Sequence, residues 1–455
     1  MPKCPRFGFT TWGAKARAVE GLFWGPHRGE SRGGALRVLA LLLLLAPALA
    51  QSALAPLRDH PLARQAQSYL EAARKALLAQ ESPVALNLQA GHARLGYACT
   101  PEALCQSLPS SGSNLTLALV LTPFPFGDVA DGQERARIAL RRAELGYRRA
   151  LTALQAQAVA AYGRYREALL GERLALKGVE LAQMALEAAR KRQANPKELR
   201  EAELALKEAE NRLGEARRGV ALAEQAALGL VDLRAPLPQI PLPQGGAYLQ
   251  VEEARLSVQE AQIAYDGAFR NLLPKLDVSY LRYPSGNDTL ALSLSSRTLQ
   301  PTLSYTRQDP ARPATQVPGA GSYRSVEELR LSLSLTLSPG LFQGLAAAEA
   351  QLRGALEALK AAEAQARLQE ETLKGALQSA EAALALAQLR LEGERKALEE
   401  VKRRLELGLE SGLALKRAEL SLLQAELARL QAENNLKNRL MELYQLYGQI
   451  LEVNP

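Results

Sequence analysis

The chain has 455 residues, of which 47% are hydrophobic, 23% charged and only 5% aromatic, with a formal net charge of +8. Few aromatics among abundant Ala, Leu, Glu and Arg argue for long helices and against a compact mixed core. Residues 1–50 hold seven Lys/Arg and two Asp/Glu and so carry +5 of the charge, and the +3 left for the rest gives no basic footprint for nucleic acid. The sequence shows no phosphate-cradling loop, zinc-type Cys/His spacing or catalytic constellation, so neither an enzyme nor a cofactor carrier is expected.

In Leu36–Ala50 an apolar run flanked by Arg32 and Arg37 ends Ala48-Leu49-Ala50, the small-x-small pattern of a signal peptidase site. The run falls short of the roughly 20 apolar residues that a spanning helix needs. Residues 1–50 are therefore expected to be a secretory signal cleaved after Ala50, with a membrane anchor as the alternative. The stretch before Arg32 is long for a signal n-region, so a start codon further downstream is also open. Gln51, where a lipoprotein would have Cys, speaks against a lipid anchor.

The rest reads as a first repeat over 51–232, a Pro-rich linker over 233–247 and a second repeat over 248–455. Pro61–Gln80 reads as a helix stopped by Pro83, and Val84–Tyr97 and Asn114–Leu121 as strands. In the second strand Leu115, Leu117, Leu119 and Leu121 share one face, while Thr116, Ala118 and Val120 make the other face small. That period of two suits a strand between lipid and a wet lumen, although a strand over a soluble core has the same period. Cys99 and Cys105 lie between the strands. In an exported chain such a pair is expected to close a disulfide in the hairpin loop, the alternative being two free thiols.

Asp128–Asn195 reads as one helix about 100 Å long at about 1.5 Å per residue, far beyond a globular helix. Asn195-Pro196 breaks it and Lys197–Leu228 returns. Asp232–Ala247, with Pro236, Pro238, Pro241 and Pro243, is an extended connector. Helix resumes over Tyr248–Leu272. Leu276–Tyr283, Thr289–Arg297, Gln300–Arg307 and Leu329–Leu337 alternate as strands, with Gln308–Ser325 as a long flexible loop. This repeat has about 25 residues more than the first before its loop, room for an extra hairpin. Leu345–Leu407 is the second long helix. Its Leu377, Leu384, Leu391, Leu398 and Leu405 recur every seven residues beside Ala380 and Ala387, a stripe for close helix packing. Gly408 and Gly412 punctuate the turn before Leu413–Tyr447.

The repeats share one offset. Leu121–Gly127 (LTPFPFG) and Leu337–Gln343 (LSPGLFQ) lie 216 positions apart, and the same offset brings Pro196 onto Gly412 and Arg200–Leu206 onto Lys416–Leu422. A strand end, a helix start and a turn that all keep one offset indicate a duplicated unit. Helix lengths suggest a four-rod protomer. Two rods are continuous helices, and two are composites stacked end to end: the first short helix with the terminal helix, and the two middle helices with each other.

This arrangement resembles the TolC-like outer-membrane efflux proteins over nearly the whole exported chain. The residues that carry the resemblance are the strand-to-helix junctions with Pro123 and Phe126 and with Pro339 and Phe342, the segment Pro339–Gly344, the turn Gly408–Ser411 and the segment Ala418–Ala425. The resemblance implies a mainly α fold with β hairpins, in which a homotrimer closes a β-barrel in outer-membrane lipid, continuous with an α-helical barrel in the periplasm. It implies passive export of solutes delivered by an inner-membrane pump through a periplasmic adaptor, in a tripartite efflux or type I secretion system, without cofactor or catalysis. Asn195, Pro196, Gly408, Leu409 and Ser411 would meet the adaptor. Ala414 and Arg417 hold the places where the family rings its closed aperture with aspartates. Here the neighbourhood is basic, with Arg190–Arg192, Lys402–Arg404, Lys416 and Arg417, unless Arg417 pairs sideways with Glu410 or Glu419. A periplasmic coiled-coil adaptor and an envelope-spanning structural protein are the alternative functions.

Overall fold

The computed structural model describes residues 52–98, 100, 105–106 and 108–451. The expected signal segment and Cys99 lie outside them. A 3-10 turn, Ala55–Asp59, leads into α1 (Pro61–Gln80) and the hairpin β1 (Val84–Arg94) and β2 (Ser111–Leu121). Then come α2 (Asp128–Lys191), α3 (Pro196–Ala227), the connector, and α4 (Leu249–Arg270). The second repeat continues with β3 (Lys275–Arg282), β4 (Asp288–Ser295), β5 (Thr302–Asp309), β6 (Thr315–Val317), β7 (Gly321–Tyr323) and β8 (Glu327–Ser334). It ends with α5 (Pro339–Glu406) and α6 (Gly412–Tyr447). The fold is mainly helical, with the helix-and-strand unit occurring twice.

The long helix α2 stops at Lys191 instead of reaching Asn195. Gln193 takes φ 53°, and the N–H groups of Gln193 and Ala194 donate back to the carbonyls of Arg190 (3.1 Å) and Ala189 (3.0 Å). That pair of bonds is a Schellman closure, complete before the proline is reached.

The rods pair differently from the expectation. Helix α1 lies along the start of α2, where Gln133 Nε2 donates to the Gln80 carbonyl at 3.2 Å. Helix α3 lies along the far part of α2, through Arg217–Glu172 (3.4 Å) and Arg190–Glu203 (3.3 Å). Helices α4 and α6 share the groove between α2 and α5. Arg142–Glu260 (2.5 Å) and Arg149–Glu253 (2.6 Å) hold α4 on the sheet-side half of α2. Asn434 Nδ2 donates to the Gly163 carbonyl at 3.2 Å and Lys416 reaches Glu180 at 3.5 Å, holding α6 on the other half. The composite rods are thus α1 with α3 and α4 with α6, each within one repeat, and not the first helix with the last. A helix that feeds a strand must end at the sheet, and the returning helix must start at the far turn. Both follow the long helix of their own repeat and divide its length, with 20 and 32 residues beside 64 and with 22 and 36 beside 68.

The joints of both composite rods lie at one level, where the main core forms. Leu54, Ala63, Leu154, Ala158, Val231 and Met441 pack there, and the connector crosses beside them. Buried Gln155 acts as a short strand, donating from Nε2 to the Leu451 carbonyl and accepting from the Leu451 N–H, both at 2.9 Å. Of the leucine stripe of α5, Leu377, Leu391 and Leu398 are buried beside Ala380 and Ala387, while Leu384 and Leu405 are only half-buried.

One six-stranded antiparallel sheet runs in the order β1-β2-β5-β4-β3-β8. Strands β4 and β5 are the extra hairpin for which the second repeat had room, inserted between β2 and β3. The stretch read as one long loop instead contains a ribbon, β6 with β7, closed by Gly319 and Gly321 at φ 78° and 98°.

Candidate functional site

The sheet register aligns chemistry that single strands only hint at. Leu86, Leu119, Leu303, Leu292, Tyr280 and Leu329 form one lateral row across all six strands. The next row, displaced by one residue, is Ala85, Val120, Thr302, Ser293, Ser279 and Arg330 and faces the other way. One face is thus leucine-rich from edge to edge and the other is small and hydroxylated. The leucines stand open: Leu88 is 70% exposed, Leu331 68% and Leu333 71%. A continuous bare apolar face of this extent is foreign to a water-facing surface. The strands of the first hairpin, eleven residues each, match the roughly nine to eleven that cross a bilayer at a tilt, and the other four, with eight, come close to it.

Aromatic rings bound this face. Phe124, Phe126 and Phe342 are exposed at the strand-to-helix junctions, and Tyr97 and Tyr323 at the opposite end. Such girdles suit the two bilayer interfaces. The junctions are not identical. Pro339 is the first residue of α5, with Ser338 as its N-cap, whereas Pro123 lies in the loop before the N-cap Gly127. Gly127 has φ 56° and ψ −125°, and a Cβ there would lie 1.9 Å from the Arg297 carbonyl oxygen. A glycine is required at this close approach of the second repeat to the first.

At the far end the two turns are built alike. Gly408 (φ 73°) and Leu409 donate back to Leu405 (2.9 Å) and Arg404 (2.8 Å), a second Schellman closure. Ser411 caps α6 by accepting from the Ala414 N–H at 3.3 Å, and Asn195 caps α3 by accepting from the Glu198 N–H at 2.8 Å, with Pro196 as the first residue of that helix. Leu409 is 73% exposed. Arg417 is exposed, and among the described residues Glu410 and Glu419 pair with other cations. Arg404 reaches Glu410 at 3.9 Å, and Lys416 reaches Glu419 at 3.0 Å. Lys416, Glu180, Lys177 and Glu419 close a ring of alternating charge between α2 and α6. Glu419 raises the pKa of Lys416, and Lys177 lowers that of Glu180. Cys105 is disulfide-bonded, while its expected partner Cys99 lies outside the described residues.

A third cluster has no motif in the sequence, because its members come from three distant helices. Tyr248 and Tyr447 stack with ring centroids 5.9 Å apart, and both hydroxyls donate to Glu370, Tyr447 at 2.6 Å. Lys374 reaches the same carboxylate at 2.7 Å. Lys374 and the two hydroxyls hold the Glu370 pKa down at about 2, and burial together with the carboxylate pushes the Tyr447 phenol up. A carboxylate depressed in the folded state stabilises the fold fully above its unfolded pKa of about 4.5, and loses this as pH falls toward 2. With Glu370 18% exposed, the shift corresponds to about 2–3 kcal/mol, allowing for the exposed Lys374. Glu370→Gln should therefore flatten the fall in Tm between about pH 5 and pH 2. Equal slopes for wild type and variant would remove this role.

The comparisons with known proteins meet this geometry from two sides. Residues 246–449 match the family model described as outer membrane efflux protein. Over these residues, which make up the second repeat, the chain is similar to that family. The fold of the whole described chain is that of the TolC-like channels. It is similar to the CmeC outer membrane channel of Campylobacter jejuni at TM-score 0.59 and 16% identity, covering 86% of this chain and 84% of that one. It is similar to the open state of the MtrE outer membrane channel of Neisseria gonorrhoeae at TM-score 0.57 and 19% identity, covering 86% of each chain. The outer membrane protein VceC of Vibrio cholerae gives TM-score 0.57 and 16% identity, covering 87% of this chain and 95% of that one. No curated protein matches the sequence.

Proposed function

We propose that this chain is the outer-membrane channel of a tripartite efflux or type I secretion system. It works as a homotrimer and passively exports solutes that an inner-membrane pump delivers through a periplasmic adaptor. The observation that carries this reading is the leucine face running across all six strands, continuous with a helical wall whose far end bears two capped turns. In lipid the sheet needs its edges satisfied, which closure into a barrel achieves. A periplasmic adaptor or an envelope-spanning structural protein would leave that face in water, so the channel is favoured over both. Residues 1–50 act as the export signal, with cleavage after Ala50, and Cys105 pairs with Cys99 in the loop at the outer end of the first hairpin.

The turns at 192–195 and 407–411 dock the adaptor's helical tip, and the adjacent start of α6, with Ala414 and Arg417, narrows the periplasmic aperture. Three exposed Arg417 side chains around one axis raise the local potential for anions, because the nearby Glu410 and Glu419 are engaged elsewhere. Two measurements test this. Outer-membrane extracts should contain a heat-modifiable oligomer, and its absence from that membrane would reject the channel. In planar bilayers under a salt gradient, the wild-type pore should not be cation-selective, and Arg417→Asp should move the reversal potential toward cations. A strongly cation-selective wild type, unmoved by that substitution, would place the residue away from the aperture.

A further inference from the structure

We propose that Arg282 and Arg307 hold the phosphate groups of membrane lipids at the outer surface of the bilayer. The inference rests on the channel reading, which puts the leucine face in lipid.

The two arginines stand in the same local setting. Each follows a tyrosine by two residues, in Tyr280-Leu281-Arg282 on β3 and in Tyr305-Thr306-Arg307 on β5. The period of two puts tyrosine and arginine of each strand on the leucine face. The register sets each arginine opposite a carboxylate of a neighbouring strand, Arg282 opposite Glu327 on β8 and Arg307 opposite Asp288 on β4. Opposite charges so placed ordinarily pair across the strands. Here the tyrosines take the carboxylates instead. Tyr280 Oη donates to Glu327 Oε2 at 2.8 Å and Tyr305 Oη to Asp288 Oδ1 at 2.7 Å, while Ser285 Oγ donates to Asp288 Oδ2 at 2.7 Å. Among the described residues the ion pairs within the sheet are Lys275–Asp277 (2.9 Å) and Arg330–Glu328 (2.5 Å), both on the hydroxylated face. Arg282 and Arg307 are exposed and enter no ion pair.

The polar residues of the leucine face also trace a level. Going outward, the apolar rows give way first to Arg282 and Glu327 on β3 and β8. Two residues further out they give way to Arg307 and Asp288 on β5 and β4, and two further again to His92 and Ser113 on β1 and β2. Successive strand pairs are ~9.6 Å apart and two residues advance ~6.7 Å, so the boundary climbs across the rows at about 35°. Strands of a membrane barrel tilt by about 35–45°, so this boundary lies level in the bilayer. Asp309, the remaining carboxylate of that face in the strands, shares a row with His92 and lies beyond Arg307. Near the inner ends the same face carries Val84, Leu121, Leu303, Leu294, Leu276 and Leu333 and no charge.

A guanidinium at the edge of hydrocarbon needs an anion, and its planar fork matches phosphate with two parallel hydrogen bonds. Lipids whose chains lie on the leucines carry their phosphates at this level. The tyrosines suit it too, with the ring against the apolar band and the hydroxyl at its polar edge. By occupying Glu327 and Asp288 they leave both arginines to the lipid.

The test uses the purified oligomer in vesicles of equal parts phosphatidic acid and phosphatidylcholine with the same acyl chains. After release from them, native mass spectrometry should find phosphatidic acid retained about fivefold over phosphatidylcholine. Arg282→Gln with Arg307→Gln should bring the ratio close to one. Tyr280→Phe with Tyr305→Phe frees Glu327 and Asp288 to pair with the arginines, so it should lower the ratio with every charge kept. Arg330→Gln, on the hydroxylated face, should leave it unchanged. A ratio near one for wild type, or one that neither double variant lowers, overturns the proposal. Should the arginine variant not assemble, the wild-type ratio and the tyrosine variant still decide. Loss of the wild-type preference in excess inorganic phosphate would assign the site to the free anion and overturn the lipid. If wild type forms no conducting oligomer in such vesicles, the channel reading falls, and this inference falls with it.

Discussion

Leu292→Arg is expected to cost about 2–4 kcal/mol per chain, the penalty for a cation on the lipid face near the bilayer centre. Ser293→Arg, one position further on, should be tolerated. Leu292 lies in the row from Leu86 to Leu329 and Ser293 in the row from Ala85 to Arg330, and the two rows point to opposite faces. Each oligomer carries the change once per copy, so the losses accumulate within one particle. The measurement is the yield of heat-modifiable oligomer in the outer membrane, followed by urea unfolding from lipid vesicles. Leu292→Arg should deplete the assembled form at least tenfold, and Ser293→Arg should leave it near wild type while altering conductance. If both variants behave alike, the leucine face does not meet lipid.

Leu409→Asp should reduce cross-linking to a periplasmic adaptor at least tenfold while the oligomer persists. Leu409 contributes its backbone N–H to the Schellman closure, a bond that any non-proline residue retains, so the turn survives the change. Its side chain is 73% exposed at the extreme end of the helical wall. Burying a leucine contributes about 1.5–3 kcal/mol, and placing a carboxylate in an apolar contact adds a desolvation cost, which together exceed the ~1.4 kcal/mol of a tenfold change. Leu409→Ala should fall between wild type and Leu409→Asp. Undiminished cross-linking of both variants would move the docking surface elsewhere, with the parallel turn at Asn195 and Pro196 as the next place to look.

Much of the fold was legible in the chain alone, because its signals are local. The period of two in Leu115–Leu121, the seven-residue stripe from Leu377 to Leu405 and the breakers Pro196 and Gly408 each act within a few residues of themselves. The common offset of 216 between the repeats then showed that these signals occur twice. Strand faces, long helices, turns and the family resemblance follow from such patterns, and so does the room for the hairpin β4–β5. Contacts between distant segments were not legible. The pairing of the short helices came out in the opposite sense from the length-based expectation, because end-to-end lengths do not say which long helix each one follows. Ion pairs such as Arg149 with Glu253, and the bond from Asn434 to Gly163, decide that in space. Glu370 between two tyrosines is of the same kind, since nothing around any one of the three marks it. The ribbon β6–β7 was missed because strands of three residues carry too few alternations to show a period. The lateral leucine row across six strands depends on register, and register is set by which strands become neighbours. Only the tertiary structure therefore turned six separately alternating strands into one continuous leucine-rich surface.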